Sequence, residues 1–292
     1  MILLCLGIIL LLAACGTTTG QETSGNTEET SNHEVQEIRF GIPPGEANED
    51  WQKIHEPMVK LIEEATGLPV ELVLTSDYPA LVEAMRAGHV ELGQFSPFLS
   101  LLAMDVANGE PLAVGVPKSY TSSIVVPKDS PIQSIEELKG KSISFADPGS
   151  TSGNFVPRLL LERAGIDPDT EMKAIYAGGH DASALAVANG NVDAAAVSTR
   201  LIKQMEEEGF IDPGSLRIIA TSEEIAISAS VIAHPDLPED LKEAITTAFV
   251  EDVTPEVLEI LGVQEYKVPE SSDYALFYEM AETLNLNLKE LE

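Results

Sequence analysis

Basic residues are scarce in this chain. Lys and Arg number 17 against 48 Asp and Glu in 292 residues, for a formal net charge of -31. Such a surface has no basic stripe with which to neutralise a phosphate backbone, so the balance argues against nucleic acid as a partner. Cysteine is nearly absent: only Cys5 and Cys15 occur, and nothing after residue 15 can form a disulfide, a thiol nucleophile or a cysteine metal site. The five histidines are dispersed without metal-ligand spacing, and His55-Glu56 lacks the second histidine that a zinc-protease helix would place at Val59. No metal and no cofactor are expected. Aromatics make up only 5%, yet 44% of the residues are hydrophobic, enough aliphatic bulk for the cores of two ordinary domains.

Long apolar runs are also missing, with one exception. Ile2 to Leu12 is almost wholly apolar, too short to span about 30 Å of hydrocarbon but the right length for the core of a signal peptide. No Lys or Arg precedes it. Leu12-Ala13-Ala14-Cys15 resembles the lipobox of bacterial lipoproteins, which implies cleavage before Cys15 and acylation of that cysteine. A plain secretory signal with an incidental cysteine is the alternative. Residues 1–14 are then a signal peptide and 15–34, rich in Thr, Ser, Gly, Asn and Glu, a lipidated flexible tether. This places the protein outside the cytoplasm, anchored by lipid to a bacterial membrane at the cell surface or in the periplasm.

From Val35 onward strands and helices alternate, the pattern of an α/β fold with largely parallel sheets. Strands are predicted over 35–42, 70–75, 90–95, 111–117, 123–126, 141–146, 172–176, 194–197 and 216–221, with helices between most of them. From Pro238 the pattern is helical, over 239–250, 254–261 and 273–284, and those helices need the first domain's sheet to cover. The chain therefore crosses between two lobes twice, near 119–123 and 222–230. Lobe 1 comprises 35–121 plus 229–292 and lobe 2 comprises 122–228, with a cleft between them and a hinge of two crossovers.

The most informative stretch is Asp147-Pro148-Gly149-Ser150-Thr151-Ser152-Gly153-Asn154, where three hydroxyls fall between a predicted strand and a predicted helix. The first N–H groups of a helix lack intrahelical partners and carry the positive end of the macrodipole, so such a junction suits an anion. Ordinary helix capping by Ser or Thr is the competing explanation. Two more junctions in this lobe are polar, His180-Asp181 and Ser198 to Arg200. In an acidic chain an anion must be held by aimed neutral donors, because the long-range field repels it.

Several segments resemble the phosphonate/phosphite-type periplasmic substrate-binding proteins. In lobe 1 these are Thr75-Ser76-Asp77-Tyr78, Arg86 to Glu91 and Phe95-Ser96-Pro97-Phe98. In lobe 2 they are Leu138-Lys139-Gly140-Lys141, the DPGSTSG run with Pro157-Arg158, Gly179-His180-Asp181-Ala182, and Ala186 to Ala195. The likeness runs over about residues 36–250. It implies a two-lobed type II periplasmic-binding fold and a binding component of an ABC importer. That component would capture a small phosphorus oxyanion (phosphite, methylphosphonate, phosphate or another phosphonate) and deliver it to membrane permease subunits, as a monomer. By the same resemblance Ser150, Thr151, Ser152 and His180 would donate to the phosphorus group, and Tyr78 and Tyr120 would line the cleft. Ser96 also lies at a strand end facing it. Family members that take aminoalkyl phosphonates carry acidic residues where this chain has Arg200 and Ser228, which disfavours an ammonium group and favours a small ligand such as phosphite, phosphate or methylphosphonate; a surface salt bridge from Arg200 to the acidic helix after it is the competing explanation. Two other readings stay open: a lipoprotein that senses its ligand for a membrane receptor, and a hydrolase using Ser150 and His180. Ser150 and Ser152 lack the Gly-x-Ser-x-Gly elbow, so no catalytic residue is assigned.

Overall fold

A computed structural model describes residues 35–44 and 51–288. The expected signal peptide, Cys15 and the tether lie outside these residues. Along the chain, the first sheet opens with β1 (Ile38–Ile42), α1 (Trp51–Thr66), β2 (Val70–Leu74), α2 (Tyr78–Arg86), β3 (Leu92–Phe95), α3 (Pro97–Ala107) and β4 (Glu110–Pro117). The second sheet takes β5 (Ser122–Pro127), β6 (Ser142–Phe145), α4 (Val156–Arg163), β7 (Lys173–Tyr176), α5 (His180–Ala188), β8 (Ala194–Ser198), α6 (Thr199–Glu207) and β9 (Leu216–Thr221). The chain then returns through β10 (Ser230–Ala233), α7 (Glu239–Thr247), α8 (Pro255–Leu261), β11 (Val263–Lys267) and α9 (Ala275–Thr283).

Strand order is β11-β4-β10-β3-β1-β2 in one sheet and β7-β6-β8-β5-β9 in the other. The sheets are mixed rather than largely parallel. Strands joined by helical crossovers, β1 with β2 and β3 and β6 with β7 and β8, pair in parallel. Those entered directly from the other lobe, β5 and β10, run antiparallel to their neighbours, because no helix intervenes to turn the chain around. The chain after Pro238 also differs from the helical expectation: β11 adds an edge strand on β4, with a register shift between Val263 and Glu265.

Local chemistry sets the helix starts that face the cleft. Asp77 caps α2 by accepting the Ala80 N–H at 2.7 Å, and Pro79 occupies the first turn, where a missing N–H costs nothing. Pro97 does the same for α3. Apolar side chains fill both faces of each sheet. A further cluster joins the lobes: Phe98 and Leu101 of α3, Phe155 and Leu159 around the start of α4, and Tyr274 and Phe277 near α9. The two crossings run side by side and bond to each other. Ile225 N–H donates to Tyr120 O at 2.8 Å, Ser122 N–H to Ser222 Oγ at 3.0 Å, and Glu224 accepts both the Tyr120 N–H and the Ser119 hydroxyl at 2.8 Å.

Candidate ligand-binding site

The loop after β6 folds back on its own strand. Ala146 N–H donates to Gly153 O at 3.0 Å, Ser150 N–H to Asp147 O at 3.0 Å, and the Asn154 side-chain amide to Pro148 O at 2.6 Å. Ser150 is the N-cap, its Oγ accepting the Gly153 N–H at 3.0 Å, and the helix begins with one wide turn, Thr151–Phe155, before α4. Gly153 has to be glycine here, since a Cβ would lie 2.4 Å from Ala146 Cβ and 2.7 Å from His180 Cε1. The result is a wide first turn, and the leading N–H groups of such a helix start carry the positive end of its dipole.

The three hydroxyls then diverge. Ser152 Oγ accepts the Tyr120 hydroxyl at 3.1 Å, which leaves the serine proton available to a ligand, and Ser152 O is held by Ser122 Oγ at 2.6 Å. Ser150 Oγ lies 3.3 Å from His180 Nε2. Thr151 turns toward lobe 1, where its Oγ1 accepts the Phe98 N–H at 2.9 Å.

His180 is the first residue of α5, and its Nδ1 accepts the Ser198 N–H at 3.1 Å. A neutral imidazole with Nδ1 as acceptor carries its proton on Nε2. Burial pushes the His180 pKa down to about 4, against the smaller opposing effect of the Asp181 carboxylate. At neutral pH the ring is thus an uncharged donor. Burial likewise raises the Tyr120 pKa, partly offset by its bond to Ser152 and by the Arg200 charge, so the phenol also stays protonated. Asp147, buried in the loop, accepts the Gly149 N–H at 2.8 Å and the Tyr78 N–H across the cleft. Desolvation raises its pKa, and those two hydrogen bonds work against the rise.

A cavity of ≈ 310 Å³ lies at this place, between the lobes. Tyr78, Ser96, Tyr120, Ser152, His180 and Arg200 all line it. Ser150 and Thr151 are buried behind that wall. Ser228 sits on the second crossing with its N–H on Gly115 O at 2.8 Å and its side chain over Gly115, while the next residue, Ala229, reaches the cavity. Lining residues that the sequence did not point to include His55 of α1 and Gln94 of β3, whose side chains pair at 2.9 Å. A histidine on the buried face of an amphipathic helix was the available signal. Among the described residues no group of three His, Cys, Asp or Glu could hold a metal ion.

Two α/β lobes, a hinge of paired crossings and a cavity between the lobes define a protein of the type II periplasmic-binding architecture. The sequence profile described as "ABC transporter, phosphonate, periplasmic substrate-binding protein" matches residues 40–274, and the chain belongs to that family. It is 33% identical over 274 residues to the phosphate-import protein PhnD of Mycolicibacterium smegmatis, covering 88% of this chain and 83% of that one. To the phosphonates-binding periplasmic protein of Escherichia coli it is 30% identical over 251 residues, covering 82% and 73%. The crystal structure of a binding protein component of an ABC phosphonate transporter from Pseudomonas aeruginosa superposes with a TM-score of 0.76 at 25% identity, covering 85% of this chain and 86% of that one. Members of the family work outside the cytoplasm as the substrate-binding components of transporters.

Proposed function

We propose that this protein captures a phosphorus oxyanion in the interlobe cleft and delivers it to the permease of an ABC importer. The observation that carries the reading is the convergence of the Ser152 hydroxyl, the Tyr120 phenol and the His180 Nε2–H around the wide first turn behind β6. Relatives named for phosphate import and for phosphonate binding support the ligand class. Hydrogen bonds to a charged group contribute about 1.5–3 kcal/mol each. Several of them together must exceed the cost of association to reach a micromolar affinity, about -8 kcal/mol. Selection then depends on hydrogen-bond geometry and on the ligand's protonation state.

The site does not support hydrolysis. Ser150 Oγ is engaged as a helix cap, and the His180 nitrogen facing it already bears a proton, so no base is present to activate the serine. Residues 35–121 with 229–292 and residues 122–228 act as the closing lobes, and the protein works as a monomer tethered through acylated Cys15. Metabolic labelling with a fatty-acid probe, lost in Cys15→Ser, tests the anchor. Calorimetry against phosphate, phosphite, methylphosphonate and 2-aminoethylphosphonate tests the ligand class: binding of at least one is expected, and no heat from any of them rejects the reading.

A further inference from the structure

We propose that the same cavity holds a second anion subsite centred on the Arg200 guanidinium, and that the preferred ligand is a phosphonate carrying a carboxylate on a short carbon chain. This rests on the reading that the turn at 150–152 binds the phosphorus group. Three observations lead to it. The first is size: ≈ 310 Å³ is about ten water volumes, far more than phosphate, phosphite or a methylphosphonate fills. The second is the character of the remaining wall, where Leu201 of α6 and Ile260 and Leu261 of α8 offer an apolar lining suited to methylene groups.

The third is charge. Arg200 lines the cavity and, among the described residues, has no ion-pair partner, in a chain where acidic side chains outnumber basic ones 48 to 17. Its position is shaped by Gly262, the left-handed cap of α8 (φ 67°): a Cβ there would lie 3.0 Å from Arg200 Nη1. Arg200 lines the same cavity as Ser152 and Tyr120, so a phosphonate held at the turn would extend its substituent into the space that the guanidinium borders. A guanidinium matches a carboxylate with two parallel hydrogen bonds, and it repels an ammonium group in the same place.

Calorimetry on the mature chain with phosphonoacetate, 3-phosphonopropionate, methylphosphonate and 2-aminoethylphosphonate tests the proposal. At least one carboxylated ligand should bind about tenfold or more tighter than methylphosphonate, as a charge-assisted pair implies, and 2-aminoethylphosphonate should bind more weakly than both. In Arg200→Met the carboxylate-to-methyl ratio should collapse toward one. A wild-type ratio near one, a ratio that survives in the variant, or a variant that no longer binds methylphosphonate overturns the proposal while leaving the phosphorus reading intact. If no phosphonate or phosphate binds the wild type, the phosphorus reading fails and this one falls with it.

Discussion

The Thr151 hydroxyl accepts the Phe98 N–H at 2.9 Å, joining the first turn behind β6 to the first turn of α3 in the opposite lobe. It is one of three such contacts at alternate positions. Asp147 takes the Tyr78 N–H, Gly149 O accepts the Ser96 hydroxyl at 3.2 Å, and Thr151 takes Phe98. Between them Ser150 and Ser152 face His180 and Tyr120. One loop therefore docks lobe 1 with its odd-numbered residues and meets Tyr120 and His180, which line the cavity, with its even-numbered ones. The stacked rings of Phe98 and Phe155, 3.6 Å apart at 19°, extend the same junction. On the proposed function, ligand capture and lobe docking share a single backbone segment.

Removing the Thr151 acceptor separates these roles. Thr151→Val is nearly isosteric but leaves the buried Phe98 N–H unsatisfied, which costs about 1–3 kcal/mol. Denaturant unfolding should show that loss, and Thr151→Ser should recover most of it. Equal stability of the Val and Ser variants would contradict a docking role.

Gly149 permits a close approach of the lobes. A Cβ there would lie 2.7 Å from Tyr78 Cβ and 3.0 Å from Leu99 Cδ1. Gly149→Ala should strain only the closed arrangement, by about 1–3 kcal/mol as for other overpacked sites. Affinity for the ligand should fall roughly five- to 150-fold, and small-angle scattering should report a more extended particle in the presence of ligand. Wild-type affinity in this variant would remove Gly149 from the closing interface.

His180 predicts a pH dependence of definite sign. Its pKa is about 4 in the folded protein against 6.5 for an unperturbed histidine. Between those values the unfolded chain binds a proton that the native ring refuses, so stability falls as pH drops from about 6.5 to about 4 and is unaffected above that window. The gap corresponds to roughly 3 kcal/mol at most. His180→Gln keeps a side-chain N–H but cannot titrate, so its stability should depend less on pH over this interval. Asp147 is common to both proteins and cancels in the difference. Parallel profiles for wild type and variant would refute the assignment.

Net charge makes a kinetic prediction. With -31 on the chain, an anionic ligand approaches against the long-range field. Salt screens that field over about 8–10 Å near physiological strength. The association rate measured by stopped-flow fluorescence should therefore rise as ionic strength increases from low values. A fall would mean that local cations, Arg200 foremost, dominate the approach.

Much of this site could be read from the chain because its parts are local. A strand, a glycine-flanked run of hydroxyls and a helix follow one another at 142–163, and the junctions at His180 and Arg200 repeat the arrangement. What the sequence hid was orientation. Ser150, Thr151 and Ser152 read as three equal donors, but the wide first turn sends Thr151 to Phe98 and leaves Ser152 at the cavity. The β11 strand was hidden for another reason. Only Val263 and Tyr266 of its five residues are buried, its register shifts, and its partner β4 lies far away in the chain, so no two-residue period announces it. His55 and Gln94 meet across 39 positions, beyond the reach of any local pattern.

Calorimetry of Ser152→Ala against the tightest-binding phosphorus anion tests the central claim most directly. The variant should keep the wild-type fold, because the Ser152 carbonyl still holds Ser122, and the Tyr120 hydroxyl that loses its acceptor borders the cavity, where water can replace the serine. Loss of one hydroxyl donor to a charged ligand should weaken binding by about 1.5–3 kcal/mol, on the order of ten- to 150-fold. Unchanged affinity would contradict the account and return the turn at 150–152 to simple helix capping.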